Sequence, residues 1–132
     1  RPRIMANGTI AFDTLSTSDS VNTGTTKSID TSYIFNGVPK AWGNFNQATA
    51  RDSFNISSAT DQATGNYLYI INNDMTNTDY AVVTQGARNE DAVIGVRDTE
   101  MTAAQFQVLT HNYSASDVDS DSVFFGVLGD LA

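Results

Sequence analysis

VPKAWGNFNQATARDSFNISSATDQATGNYLYIIN, residues 38–72, contains the single tryptophan of the chain, Trp42, and three runs in which apolar and polar residues alternate. The runs are Val38–Asn46, Arg51–Ser57 and Asn66–Asn72, divided by two polar, turn-rich breaks. Period-two alternation of aromatic and β-branched residues, bounded by Asn, Asp, Ser, Thr and Gly, reads as three strands of a meander. In the first, Val38, Lys40, Trp42, Asn44 and Asn46 share one face and Ala41, Gly43 and Phe45 the other. Pro39 suits a strand start or an edge. In the second, Phe54 and Ile56 point together and Arg51 points away from them. In the third, Tyr67, Tyr69 and Ile71 lie opposite Leu68 and Ile70, and two apolar faces predict a central strand covered on both sides.

The same pattern continues toward the C-terminus. Tyr80–Thr84, Ala92–Arg97, Phe106–Asn112 and Ser122–Gly129 read as strands. Asn72–Asp79, Gln85–Asp91 with Gly86 as its pivot, Asp98–Gln105 and Tyr113–Asp121 read as connections. Asp98–Gln105 tolerates a helical turn but is too short to stand as a helix. Toward the N-terminus, Ser32–Asn36 reads as a short strand before an Asn36-Gly37 turn. Ser16–Asp30 has no apolar periodicity and reads as a long polar loop, Thr9–Leu15 as a first strand, and Arg1–Gly8 as a loop-like lead. The first residue is Arg1, which fits a start inside a longer polypeptide or after processing. The expected organisation is a lead-in over residues 1–36 and a domain over residues 37–132. Seven to nine short strands without an internal repeat predict an all-β fold: an antiparallel β-sandwich, jelly-roll-like or meander.

Composition agrees with this and narrows the function. The chain has 132 residues, 40% of them hydrophobic, which suits one domain with one core. Only 17% are charged, and Ser, Thr, Asn and Gln carry the polar load, as in strands with one wetted face. There is no cysteine, hence no disulfide, thiolate nucleophile or Cys-based zinc site. Fifteen acids against seven bases give a net charge of -8, which argues against nucleic acid and anionic membranes as partners. No apolar run approaches the roughly 18 residues of a membrane span, and no signal peptide opens the chain.

Candidate chemistry is sparse. His111 is the only histidine, there is no Gly-x-Ser-x-Gly elbow, and a strand-end histidine bonded to backbone is the simpler reading. Asp117, Asp119 and Asp121 alternate as calcium ligands do, but Ser122 and Leu128 stand where an EF-hand requires glycine and glutamate. A looser calcium site stays open at this point. Paired acids for glycoside cleavage have no motif to mark them. No cofactor or metal set is expected. Among the aromatics, Trp42, Tyr67 and Tyr80 lie in regular strands, where core packing is the common fate, whereas Tyr113 lies in a loop. Loops on a rigid sandwich are where binding resides, which nominates Asn73 and Asp74, Arg88 and Asn89, and His111, Asn112 and Tyr113.

The run VPKAW-x-NFN, then R-x-SFN-x-SS-x-TD from Arg51, TGNY ending at Tyr67, Asp79–Val83 and the closing Phe125–Ala132 together resemble the C-terminal domain of tail fibre proteins of marine podoviruses. These are phages of cyanobacteria and of other abundant marine bacteria. The resemblance spans roughly Gly37 to Ala132. It departs at Gly43, where such proteins usually have valine, and at Gln47-Ala48-Thr49, which lacks their turn glycine. It implies a distal fibre domain that is homotrimeric, joined to other virion tail proteins, and bound to a bacterial surface glycan or outer-membrane protein without catalysis. It also leaves room for another virion module, such as a head decoration, adaptor or collar protein, and for a polysaccharide depolymerase tip. A decoration protein would bury Ser16–Asp30 against capsid neighbours.

Overall fold

A computed structural model describes residues 11, 13–16, 28–87 and 92–132. The chain divides into two compact units, Arg1–Gly37 and Val38–Ala132. In the first, β1 (Thr14–Ser16) and β2 (Ser28–Asp30) pair antiparallel and are followed by the helix α1 (Thr31–Gly37). The expected strand at Thr9–Leu15 is represented by β1 alone, its other residues except Ala11 and Asp13 falling outside the described set. The expected loop Ser16–Asp30 ends in β2, and residues 17–27 lie outside that set.

The strand expected over Ser32–Asn36 is instead α1. The cause is Asp30, whose Oδ1 accepts the Ser32 amide at 2.8 Å and so caps the first turn. Hydrogen bonds from the Ser32 side chain and backbone hold the Asp30 carboxyl below its ordinary pKa.

The second unit is an all-β sandwich of two four-stranded antiparallel sheets. Its strands are β3 (Ala41–Asn46), β4 (Thr49–Phe54), β5 (Ile56–Ala63), β6 (Asn66–Ile71), β7 (Ala81–Ala87), β8 (Ala92–Thr102), β9 (Gln105–Asn112) and β10 (Ser122–Leu128). The first sheet runs β4-β3-β10-β7 and the second β5-β6-β9-β8. The sandwich is therefore as expected, but its order is not that of a meander. Hairpins β3–β4, β5–β6 and β8–β9 stay within a sheet, while the chain changes sheets after β4, β6, β7 and β9.

Both sheets point alternate side chains into one core. Ala41, Phe45, Val123, Phe125 and Val127 come from the first sheet, and Tyr67, Tyr69, Ile71, Phe106 and Val108 from the second. At its centre the Phe45 ring meets Tyr69 edge-on, with centroids 4.8 Å apart, and Phe106 meets Phe125 in the same way at 4.9 Å. Gly43 belongs to this cluster. A Cβ there would come 2.5 Å from both the Phe45 and Phe125 rings, so the two phenylalanines account for the glycine.

Several sequence expectations are corrected by the sandwich. Arg51–Ser57 is not one strand. At Asn55, with φ of 58°, the chain turns out of β4 and into β5 of the opposite sheet, so Phe54 and Ile56 do not share a face. Asn55 fits this elbow because Asn tolerates the left-handed region and its amide can cross-link the bend. Its Nδ2 donates to the Lys40 carbonyl at 3.0 Å, and its Oδ1 accepts the Asn73 amide at 2.7 Å. The polar stretch after Ser57 is the rest of β5 and not a break, since an edge strand wets most of its side chains. Gln85 and Gly86 lie inside β7, where the bare Gly86 faces Ile94 of the other sheet; Gly86 is no pivot. Asp98–Thr102 extends β8, and the turn is only Ala103-Ala104. Strand β6 is central, but Leu68 and Ile70 are only half-buried, so one of its faces is packed and the other partly open.

Trp42 also departs from expectation. Tyr67 and Tyr80 are buried, whereas Trp42 is 40% exposed on the outer face of the first sheet.

Candidate functional site

The strand registers place the nominated loop residues at two ends of the sandwich. Strand β6 pairs Asn66 with Leu109 and Ile70 with Gln105. Asn73 and Asp74, just beyond β6, therefore lie at one end, and His111, Asn112 and Tyr113, at the close of β9, lie at the other. The six-residue β6 separates them by about 20 Å at ~3.3 Å per residue. Arg88 and Asn89 fall outside the described residues. The strand residues that flank their segment, Ala87 and Ala92, pair with Ser122 and Asn112, at the Tyr113 end.

The Asn73 end is held by backbone bonds. The Asp74 carbonyl accepts the Ala132 amide at 3.0 Å, and the Thr76 amide donates to the Asp130 carbonyl at 2.8 Å. Met75, between them, is buried and bridges to Leu131. The closing residues thus stitch the loop down, leaving the Asn73 and Asp74 side chains exposed.

The Tyr113 end is more elaborately built. Asn112 Oδ1 accepts the amides of Ser114 and Ser116, each at 3.0 Å, and the Asn112 amide donates to the Ser116 carbonyl at 2.9 Å. Asn112 is thereby the organiser of its own turn, as Asn side chains are in such loops. His111 Nδ1 lies 2.8 Å from Asp117 Oδ1, an ion pair when the imidazole is protonated. Asp119 Oδ1 accepts the Gly65 amide at 2.8 Å and the Tyr67 hydroxyl at 3.0 Å. The Tyr67 oxygen in turn accepts the Ser120 amide at 3.2 Å. The Thr110 hydroxyl donates to the Val118 carbonyl. Arg51 closes the far side, with Nη2 at 2.7 Å from the Asp121 carbonyl and Nη1 at 2.9 Å from Ser122 Oγ.

Gly65 sits under this loop with φ of 66°, and any Cβ there would strike the Thr110 and Val118 carbonyls. Glycine is therefore required at the β5–β6 turn. The three alternating aspartates do not converge. Asp119 is spent on Tyr67 and Gly65, Asp117 on His111, and no group of three metal-ligating side chains comes together among the described residues. Nor does any hydroxyl engage His111 among the described residues. Out of this fixed framework projects Tyr113, 76% exposed.

A second surface was missed by the loop argument. Trp42, Phe54 and Val83 are 40%, 56% and 62% exposed and stand in one row across the outer face of the first sheet. Trp42 pairs with Phe54 and with Gly126, and Gly126 pairs with Val83. The signal was present in the sequence. Trp42 shares its parity with Lys40, Asn44 and Asn46, and a face that polar belongs outside.

No helix among the described residues is long and apolar enough to cross a membrane. No family model, curated protein or solved structure matches the chain.

Proposed function

We propose that this chain is the distal, C-terminal domain of a phage tail fibre, a homotrimeric virion component that attaches to a bacterial surface glycan or outer-membrane protein and carries out no catalysis. The motif resemblance over Gly37–Ala132 supports the family. The observation that carries the binding role is the loop after β9: Tyr113 stands open to solvent on a turn whose hydrogen bonds are made by Asn112 and which Asp119 ties to the sheet beneath. A contact residue whose backbone is held beforehand loses less conformational freedom on binding, so more of the contact energy survives as affinity. Copies of such a tip, three to a fibre and several fibres to a particle, turn weak single contacts into firm attachment by raising the effective concentration of the second and third. Other virion tail proteins hold the fibre in place. Nucleic acid and membrane insertion have no part in this reading.

The test is binding of fluorescently labelled chain to host cells, with Tyr113→Ala beside it. The substitution should weaken binding by about tenfold or more, the scale of an interface hot spot, because Tyr113 contributes nothing to the core. Equal binding by both would remove Tyr113 from the contact. No binding by either would remove attachment from the function.

A further inference from the structure

The outer face of the first sheet carries three large hydrophobic side chains that stay exposed, Trp42, Phe54 and Val83. Phe54, Trp42, Gly126 and Val83 form an in-register row over all four strands, flanked on β10 by the half-buried Phe124 and Leu128. Gly126 leaves a gap in the row. A Cβ added there would meet nothing within 4 Å, so the backbone lies bare between Trp42 and Val83. Among the described residues, Asp52 is the one acid at an outward strand position here. The Arg51 guanidinium, which bonds Asn44 Oδ1 at 3.3 Å, and Lys40 at the margin offset its charge. The chain as a whole carries -8.

The geometry points to this face as the surface on which copies of the chain associate. Two copies of so acidic a chain repel one another over most approaches, and the cost is lower at a face where the single described acid, Asp52, is offset by Arg51 and Lys40. A saccharide is the poorer occupant of the row itself, where Val83, Phe124 and Leu128 offer its hydroxyls no partners and the polar Asn44 and Asp52 lie to one side. A second copy is present wherever the first is made, which suits a permanent cover for an exposed aromatic row. The Gly126 gap is the slot that a side chain of the neighbouring copy enters. This deepens the homotrimer part of the proposed function and rests on it only for the number of copies.

Gly126→Glu tests it in the full chain. Glutamate fits the open space, and glycine is itself a poor strand residue, so the sandwich keeps its fold while a charge enters the centre of the face. Val83→Lys, on the edge strand β7, is the second variant. Sedimentation velocity at micromolar concentration should give a three-chain mass for the parent and a one-chain mass for both variants, with unchanged circular dichroism. A parent of one-chain mass, or folded variants of parental mass, overturns the assignment. A two-chain parent that both variants dissociate upholds the face and overturns the trimer. Attachment is judged separately by cell binding, so a monomer that binds cells and a trimer that does not are told apart.

Discussion

Asp119 joins three parts of the sandwich through one oxygen: the β5–β6 turn at Gly65, the core tyrosine Tyr67, and the loop that leads into β10. Asp119→Ala strands a phenol and a backbone amide, and should cost about 1–3 kcal/mol of unfolding free energy, measured in urea. Asp119→Asn keeps an acceptor and should lose less. A loss within error for Asp119→Ala would mean that the carboxylate does not make these bonds. The sequence displayed Asp119 only as the middle of three alternating acids. Its true partners are 52 and 54 positions away, and no local pattern encodes so distant a contact. Gly43 was equally opaque as a departure from valine, until the Phe45 and Phe125 rings from β3 and β10 showed what a side chain there would displace. Trp42 was legible, because its parity with Lys40, Asn44 and Asn46 pointed outward, but the size of its ring argued for the core.

Among the elements, hydrophobic alternation found the central strands and missed parts of the edge strands. Strands β3, β6, β9 and β10, central in their sheets, were readable because one face of each must be apolar. Edge strands β5 and β8 keep backbone pairing while most of their side chains stay wet, so Ser58–Ala63 and Asp98–Thr102 looked like connections. The crossing at Asn55 divided an apparently continuous run because one residue with positive φ redirects the chain without changing its polarity pattern. Asn55→Ala should cost about 2–4 kcal/mol in urea, combining the lost side-chain bonds to Lys40 and Asn73 with a Cβ-bearing residue in the left-handed region. Asn55→Gly, which relieves only the backbone part, should fall between. Equal stability of Asn55→Ala and the parent would contradict the elbow.

Across the whole molecule, three tyrosines tie the core to its surroundings and set its alkaline limit. Burial raises the phenol of Tyr80 to about 12, and raises those of Tyr67 and Tyr69 above the ordinary value of 10.0 as well. Folding thus favours their neutral forms. The stability they contribute is intact below pH 10 and is lost as pH rises from there toward 12, because the unfolded chain ionises first. Phenolate absorbance of these three should therefore appear together with the loss of circular dichroism. Their titration near 10 in a folded chain would contradict the packing. The scaffold was largely legible from alternation. The outer row was legible only at Trp42, and the network around Tyr113 not at all, since the pairing of Phe54, Val83 and Asp119 with their partners depends on which strands the crossovers bring together. The proposed attachment role is tested most directly by adding excess purified chain to bacterial host cells before a phage whose fibres end in this domain. The account predicts that the chain occupies the receptors and that adsorption falls in proportion to its concentration. Adsorption at its full rate with the chain in large excess would contradict it.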